Sequence, residues 1–78
     1  MQEEFHKLLE KLPYHHQLFL LKEKCKHGDK KACEIYDREL NGDKNAPAGT
    51  KEYLGLKGRW HEMRDPEAGK ILMFLGEL

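Results

Sequence analysis

Residues 64–78 read "RDPEAGKILMFLGEL". The stretch has two self-consistent readings: a helix that starts at Asp65-Pro66-Glu67, or a hairpin turn at "DPEAG" feeding a strand "KILMFL". Asp65 is a good N-cap, Pro66 suits the first helical position, and Glu67 sits where the helix dipole favours a negative charge. Ala68, Ile71, Leu72, Leu75 and Leu78 then recur at helical spacing. Against this, Gly69 can supply a positive φ for a turn, and five apolar residues in a row can form a buried strand.

Composition favours the helix. The chain has no valine, and its β-branched residues are Thr50, Ile35 and Ile71 alone. Sheets favour branched side chains, which fit a pleated surface. Leu, Lys, Glu, Ala, Met, Gln and Arg, the better helix formers, make up more than half of this sequence. Residues 65 onward are therefore predicted to be helical.

Working back from Asp65, "YLGLKGRWHEMR" fails as a strand, because Trp60, Glu62 and Arg64 would share one face and Arg59, His61 and Met63 the other. As a helix capped by Thr50 it aligns Tyr53, Leu56, Trp60 and Met63. Gly55 and Gly58 oppose that helix at about 1 kcal/mol each. Residues 41–49, "NGDKNAPAG", are predicted to be an exposed loop. Before it, "DKKACEIYDREL" carries an Asp29 cap and places Ala32, Ile35, Tyr36 and Leu40 on one side. A helix from Pro13 to about His27 has the stripe Tyr14, Leu18, Leu21 and Cys25, widened by "LFLL" and closed by Gly28. Residues 3–12 align Phe5, Leu8, Leu9 and Leu12. The predicted fold is all-α, a bundle of four to five short helices; the alternative is α+β, a helical hairpin followed by a β-hairpin.

With 78 residues the chain makes one small domain. A domain of this size buries only about 60–65% of its unfolded surface, so pairing with itself or a partner would add stability. Acidic and basic residues are 14 each, and the balance holds in both halves. Such a chain lacks the positive field of a general nucleic-acid binder. No apolar run reaches membrane length, and "MQEEF" is not a signal peptide, so a cytosolic location (the host cytosol if the chain is viral) and no membrane partner are expected. Cys25 and Cys33 are then expected as reduced thiols packed at a helix turn.

Site chemistry is sparse. Cys25, His27 and Cys33 have no usual zinc spacing. His61-Glu62 opens like a zinc-protease motif, but Asp65 stands where the second histidine belongs. His15-His16 read as solvated. Serine is absent, and no phosphate-cradling glycine motif occurs. No catalytic, cofactor-binding or metal residue is assigned, and no cofactor is expected. Lys22, Lys24, Lys26, Lys30 and Lys31 read as the wet face of two helices. Lys57, Arg59, His61 and Arg64 surround Trp60, whose indole can stack on a base or sit in the core.

Two resemblances follow from these segments. "GDKKACEIY" (28–36) and "RDPEAGKIL" (64–72) share Asp, Ala and Ile at matching offsets. "GDKKACEIYDREL" resembles the second helix of a tetratricopeptide-type repeat, which implies stacked helix pairs. "LKGRWHEMR" followed by "GKILMFL" resembles the central hairpin of RelE/HigB-type toxins, especially the phage-associated branch. That resemblance implies a toxin that cleaves ribosome-bound mRNA, or an inactive relative that binds it, with Lys57, Arg59, Arg64 and Lys70 contacting phosphate. The preferred reading is a non-catalytic protein-binding module, a regulator, an adaptor or a phage- or mobile-element-encoded inhibitor. Its expected partner is another protein, met through Tyr53, Trp60, Met63 and Phe74, with self-association through residues 71–75 as a further expectation.

Overall fold

Every helix begins or ends where the sequence supplies a local signal. The computed structural model describes residues 7, 8 and 10–78, and from residue 14 onward these form four helices: α1 (Tyr14–Lys26), α2 (Lys30–Asn41), α3 (Lys51–Met63) and α4 (Pro66–Leu75). Of the helix predicted over 3–12, Lys7, Leu8 and Glu10 are helical, and residues 1–6 and 9 lie outside the described residues.

The Asp29 carboxylate accepts from the Ala32 N–H at the start of α2, and the Thr50 hydroxyl accepts from the Tyr53 N–H at the start of α3. Asp65 does the same for Glu67 at the start of α4, with Pro66 in the first turn. The quoted stretch is thus a helix. The β-hairpin of the alternative architecture does not form, and among the described residues there is no strand. Residues 56–75, which carry the resemblance to RelE/HigB-type toxins, are two helices meeting at Arg64-Asp65.

Each helix packs on its neighbours in sequence, and α1 also packs along α4. The order α1–α2–α3–α4 therefore closes on itself instead of stacking one helix pair on the next as a repeat array does. Leu18 and Leu21 of α1, Ala32 and Leu40 of α2, Leu56 of α3, and Ala68, Leu72 and Leu75 of α4 form the core. These are the inner positions of the predicted stripes. The outer ones differ: Met63 and Leu78 are exposed, because Met63 ends α3 and Leu78 lies beyond the left-handed Gly76 that stops α4.

Gly55 answers the objection that glycines raised against α3. It has φ 70° and ψ −178°, which breaks the helix after its first turn. At that break the backbone of α3 lies against Gly42, the residue that ends α2. The Asp43 N–H donates to the Glu52 carbonyl at 2.8 Å beside the contact. Gly55, which opposed α3 in the sequence, and Gly42, which ends α2, together form the joint between the two helices.

Cys25 and Cys33, expected as reduced thiols, are joined by a disulfide. The chain reverses at Gly28-Asp29, so the last turn of α1 and the first turn of α2 stand side by side, with these two Cα atoms 4.6 Å apart. Closing so short a loop stabilises the folded chain by about 2.5 kcal/mol in the chain-entropy account.

Asp65 has a second duty. Arg59 donates from Nε and Nη2 to Asp65 Oδ2 at 3.1 and 2.7 Å, while Oδ1 accepts from the Glu67 N–H at 3.0 Å. The Arg59 hydrogen bonds, aided by the α4 backbone N–H groups, hold the carboxyl below its ordinary value of 3.8. A depressed value in the folded state means that Asp65 stabilises the fold above that ordinary value, and that this share disappears as pH falls through the folded value. Asp65→Asn keeps a capping oxygen and removes the charge. Melting temperatures measured from pH 6 to pH 2 should therefore show a flatter acid limb for the variant than for the parent; equal limbs would show that this ion pair contributes nothing.

Candidate protein-binding face

The α1–α4 seam leaves aromatic side chains outside. On α1, Leu18 and Leu21 point inward, which turns His15, His16 and Phe19 toward α4. On α4, Ala68, Leu72 and Leu75 point inward, which turns Lys70, Met73 and Phe74 outward. Phe74 is the centre of the group. Its ring lies 4.9 Å from that of His15 edge-on, 5.7 Å from His16 in a parallel stack, and 5.9 Å from Phe19 at a tilt. Such pairs hold the rings in place without burying them. Phe19 remains 42% and Phe74 48% exposed.

Beside this group lies an open groove of about 520 Å³. Tyr14 and His15 form one wall and Ile71 and Phe74 the other, with Glu67, Lys70 and Arg59 on the rim. Its lining combines aromatic and aliphatic side chains with charges of both signs.

A second, smaller cleft of about 150 Å³ lies where Tyr14 meets the end of α2 and the start of α3. Tyr14 donates to Glu39 Oε2 at 2.5 Å there. Partial burial, and then the Glu39 carboxylate, push the phenol well above its ordinary value. At the far end of α4, Lys22 donates to the Leu75 carbonyl. Glu77 lies 3.8 Å from Lys22 and 3.9 Å from Lys57, and it accepts from the Tyr36 hydroxyl at 3.3 Å. Burial and that carboxylate likewise raise the Tyr36 phenol. This clasp ties the chain end to α1, α2 and α3.

The four aromatic and Met positions named from sequence fall in separate places. Phe74 is on the α1–α4 face. Trp60 lies against Gly69 between α3 and α4, where a Cβ on Gly69 would meet the indole at 2.6 Å. Tyr53 sits under the Lys44 ammonium, 4.6 Å from its ring centre. Met63 is exposed at the end of α3.

The four cations named as phosphate contacts are also divided. Lys57 is in the Glu77 clasp and Arg59 is bonded to Asp65. Arg64 is the left-handed residue that ends α3, and Lys70 is exposed on the groove rim. Among the described residues no three His, Cys, Asp or Glu side chains are grouped to hold a metal ion. No helix among them is long and apolar enough to cross a membrane.

His15, His16 and Phe19 were passed over in the sequence because "HHQLFLL" reads as solvated histidines followed by a widened core stripe. The available signal was their spacing. His15 and His16 precede Phe19 by four and three residues, which puts all three on one helical face beside the stripe made by Leu18 and Leu21. No known protein family, curated protein or solved structure matches this chain.

Proposed function

We propose that this chain is a cytosolic protein-binding module, without catalysis of its own, whose contact surface is the α1–α4 face. The observation that carries the reading is the Phe19–Phe74–histidine group, held in fixed geometry yet half open to solvent. Aromatic side chains in this state lose little conformational entropy on binding and supply large contact area, which is why they concentrate at interface centres. The adjoining groove accepts apolar anchors from a helix or extended segment of the partner. Its rim carries Glu67, Lys70 and Arg59, and Arg59 is already paired with Asp65, so a partner segment needs no net charge to fit.

The test places a photo-crosslinking residue at Phe74, and at exposed Glu34 on α2 as the control, in the cell of origin. A discrete adduct from position 74 that is absent from position 34 is expected. Phe19→Asp should abolish it while leaving the melting temperature within a few degrees, since surface substitutions cost little. Equal adducts from both positions, or adducts insensitive to Phe19→Asp, would remove the face from consideration. Sedimentation of the purified chain separates self-association from binding to a different protein.

A further inference from the structure

The Cys25–Cys33 disulfide closes a turn that is already fixed by other means. Gly28 takes φ 97°, its N–H donates to the Cys25 carbonyl at 3.0 Å, and the Asp29 N–H donates to the Lys24 carbonyl at 3.0 Å. The Asp29 cap fixes the start of α2. Leu21 and Ala32 anchor the two helices beneath the turn. Neither cysteine belongs to the core, and both are partly exposed, within reach of a small thiol.

The two sulfurs differ in their electrostatic surroundings. Cys33 is the fourth residue of α2, where the positive end of the helix dipole favours a thiolate; its sulfur also lies 3.6 Å from the Cys25 carbonyl oxygen. Cys25 is next to the last residue of α1, at the negative end, where a thiolate is disfavoured. Ion pairs of Lys24 with Asp29 and of Lys26 with Glu23 cancel part of the local charge; His27 ends α1, and Lys30 and Lys31 in the first turn of α2 add positive charge on the Cys33 side.

We infer that Cys25 and Cys33 form an exchangeable pair for small-molecule thiols and disulfides, with Cys33 the reactive thiol of the reduced state. This is independent of the α1–α4 face. The Cys33 thiolate attacks one sulfur of a disulfide R–S–S–R, forming Cys33–S–S–R and releasing one RS⁻. The Cys25 thiol gives its proton to solvent and attacks the Cys33 sulfur, which restores the protein disulfide and releases the second RS⁻. The dithiol loses two electrons and the small disulfide gains them; two small thiols run the sequence backwards. In the cytosol, the location proposed above, disulfides are chiefly of this transient kind.

Glutathione is the probe. The intact chain is equilibrated in mixtures of reduced and oxidised glutathione, with far-ultraviolet circular dichroism and mass spectrometry as readouts. The helical signal at 25 °C should persist on reduction, and oxidised glutathione should restore the bond through a mixed disulfide on Cys33. Loss of the helical signal on reduction would make the bond a structural staple and overturn the inference.

Alkylation at pH 7 then compares Cys25→Ser, which leaves Cys33, with Cys33→Ser, which leaves Cys25. A thiol one pH unit more acidic has about eightfold more thiolate at pH 7 and about threefold lower intrinsic reactivity, so Cys33 should react about threefold faster. Its rate should also titrate below the free-cysteine value of about 8.5. Equal rates and equal midpoints would overturn the assignment of Cys33. Should either variant unfold, mass-spectrometric competition for limiting alkylating agent in the reduced parent chain reads the same ratio.

Discussion

Gly55→Ala is expected to abolish cooperative folding at room temperature, and Gly42→Ala to do the same. A Cβ on Gly55 would stand 2.6 Å from the Leu40 carbonyl oxygen and closer still to the Gly42 nitrogen; one on Gly42 would stand 2.7 Å from the Tyr53 carbonyl carbon. All of these are backbone atoms, so no side chain can swing aside. Both glycines also have positive φ, at 70° and 94°, with extended ψ, a region essentially closed to other residues. The conformational penalty alone is about 1–3 kcal/mol, and separating two helices to admit a methyl group adds to it. A domain of this length holds about 4–12 kcal/mol in total. Gly49→Ala is the control, because Gly49 has φ 88° but nothing within 4 Å of its Cβ position. It should cost about 1–2 kcal/mol. Thermal melts followed by circular dichroism give the comparison: if Gly55→Ala melts like Gly49→Ala, the glycine joint does not hold the helices together.

Leu72→Ala is expected to have the next largest effect, about 2.7–5 kcal/mol in urea denaturation. Leu72 is fully buried among core residues from other helices. A cavity there has walls from several elements, and such walls close in only partly. Met73→Ala, one residue along and largely exposed, should change stability by no more than about 0.5 kcal/mol. The pair also tests the reading of "KILMFL". A strand would place Leu72 and Phe74 on one face, whereas the helix buries Leu72 with Ala68 and Leu75 and leaves Phe74 outside. If Phe74→Ala proved as costly as Leu72→Ala, the helical register would be wrong.

Much of the fold was legible because the decisive signals are local. Asp29, Thr50 and Asp65 cap helices through bonds to backbone N–H groups two or three residues on. Pro66 and the scarcity of β-branched residues act within single segments. The α2 stripe of Ala32, Ile35, Tyr36 and Leu40 appears in the structure largely as read, with Ala32 and Leu40 buried and the other two packed against the core. The candidate face was less legible. Phe74 stood out for its size, but its neighbours His15, His16 and Phe19 lie more than fifty residues away in sequence, and nothing in either segment names the other.

The sequence by itself therefore carried most of the secondary structure: the caps at which α2, α3 and α4 start, and the helix inside "RDPEAGKILMFLGEL". Caps, propensities and side-chain period act over about one helical turn, and this chain states them consistently. The tertiary structure decided what those helices mean to one another. It chose which of two stripes on α1 is buried, and it turned Gly55 from a weak helical residue into a break matched to Gly42. It paired Cys25 with Cys33 across a turn, and it left Phe19 and Phe74 facing water. Those outcomes depend on contacts between segments, whose strength is set by shape and distance in three dimensions, and spacing along one segment does not contain them.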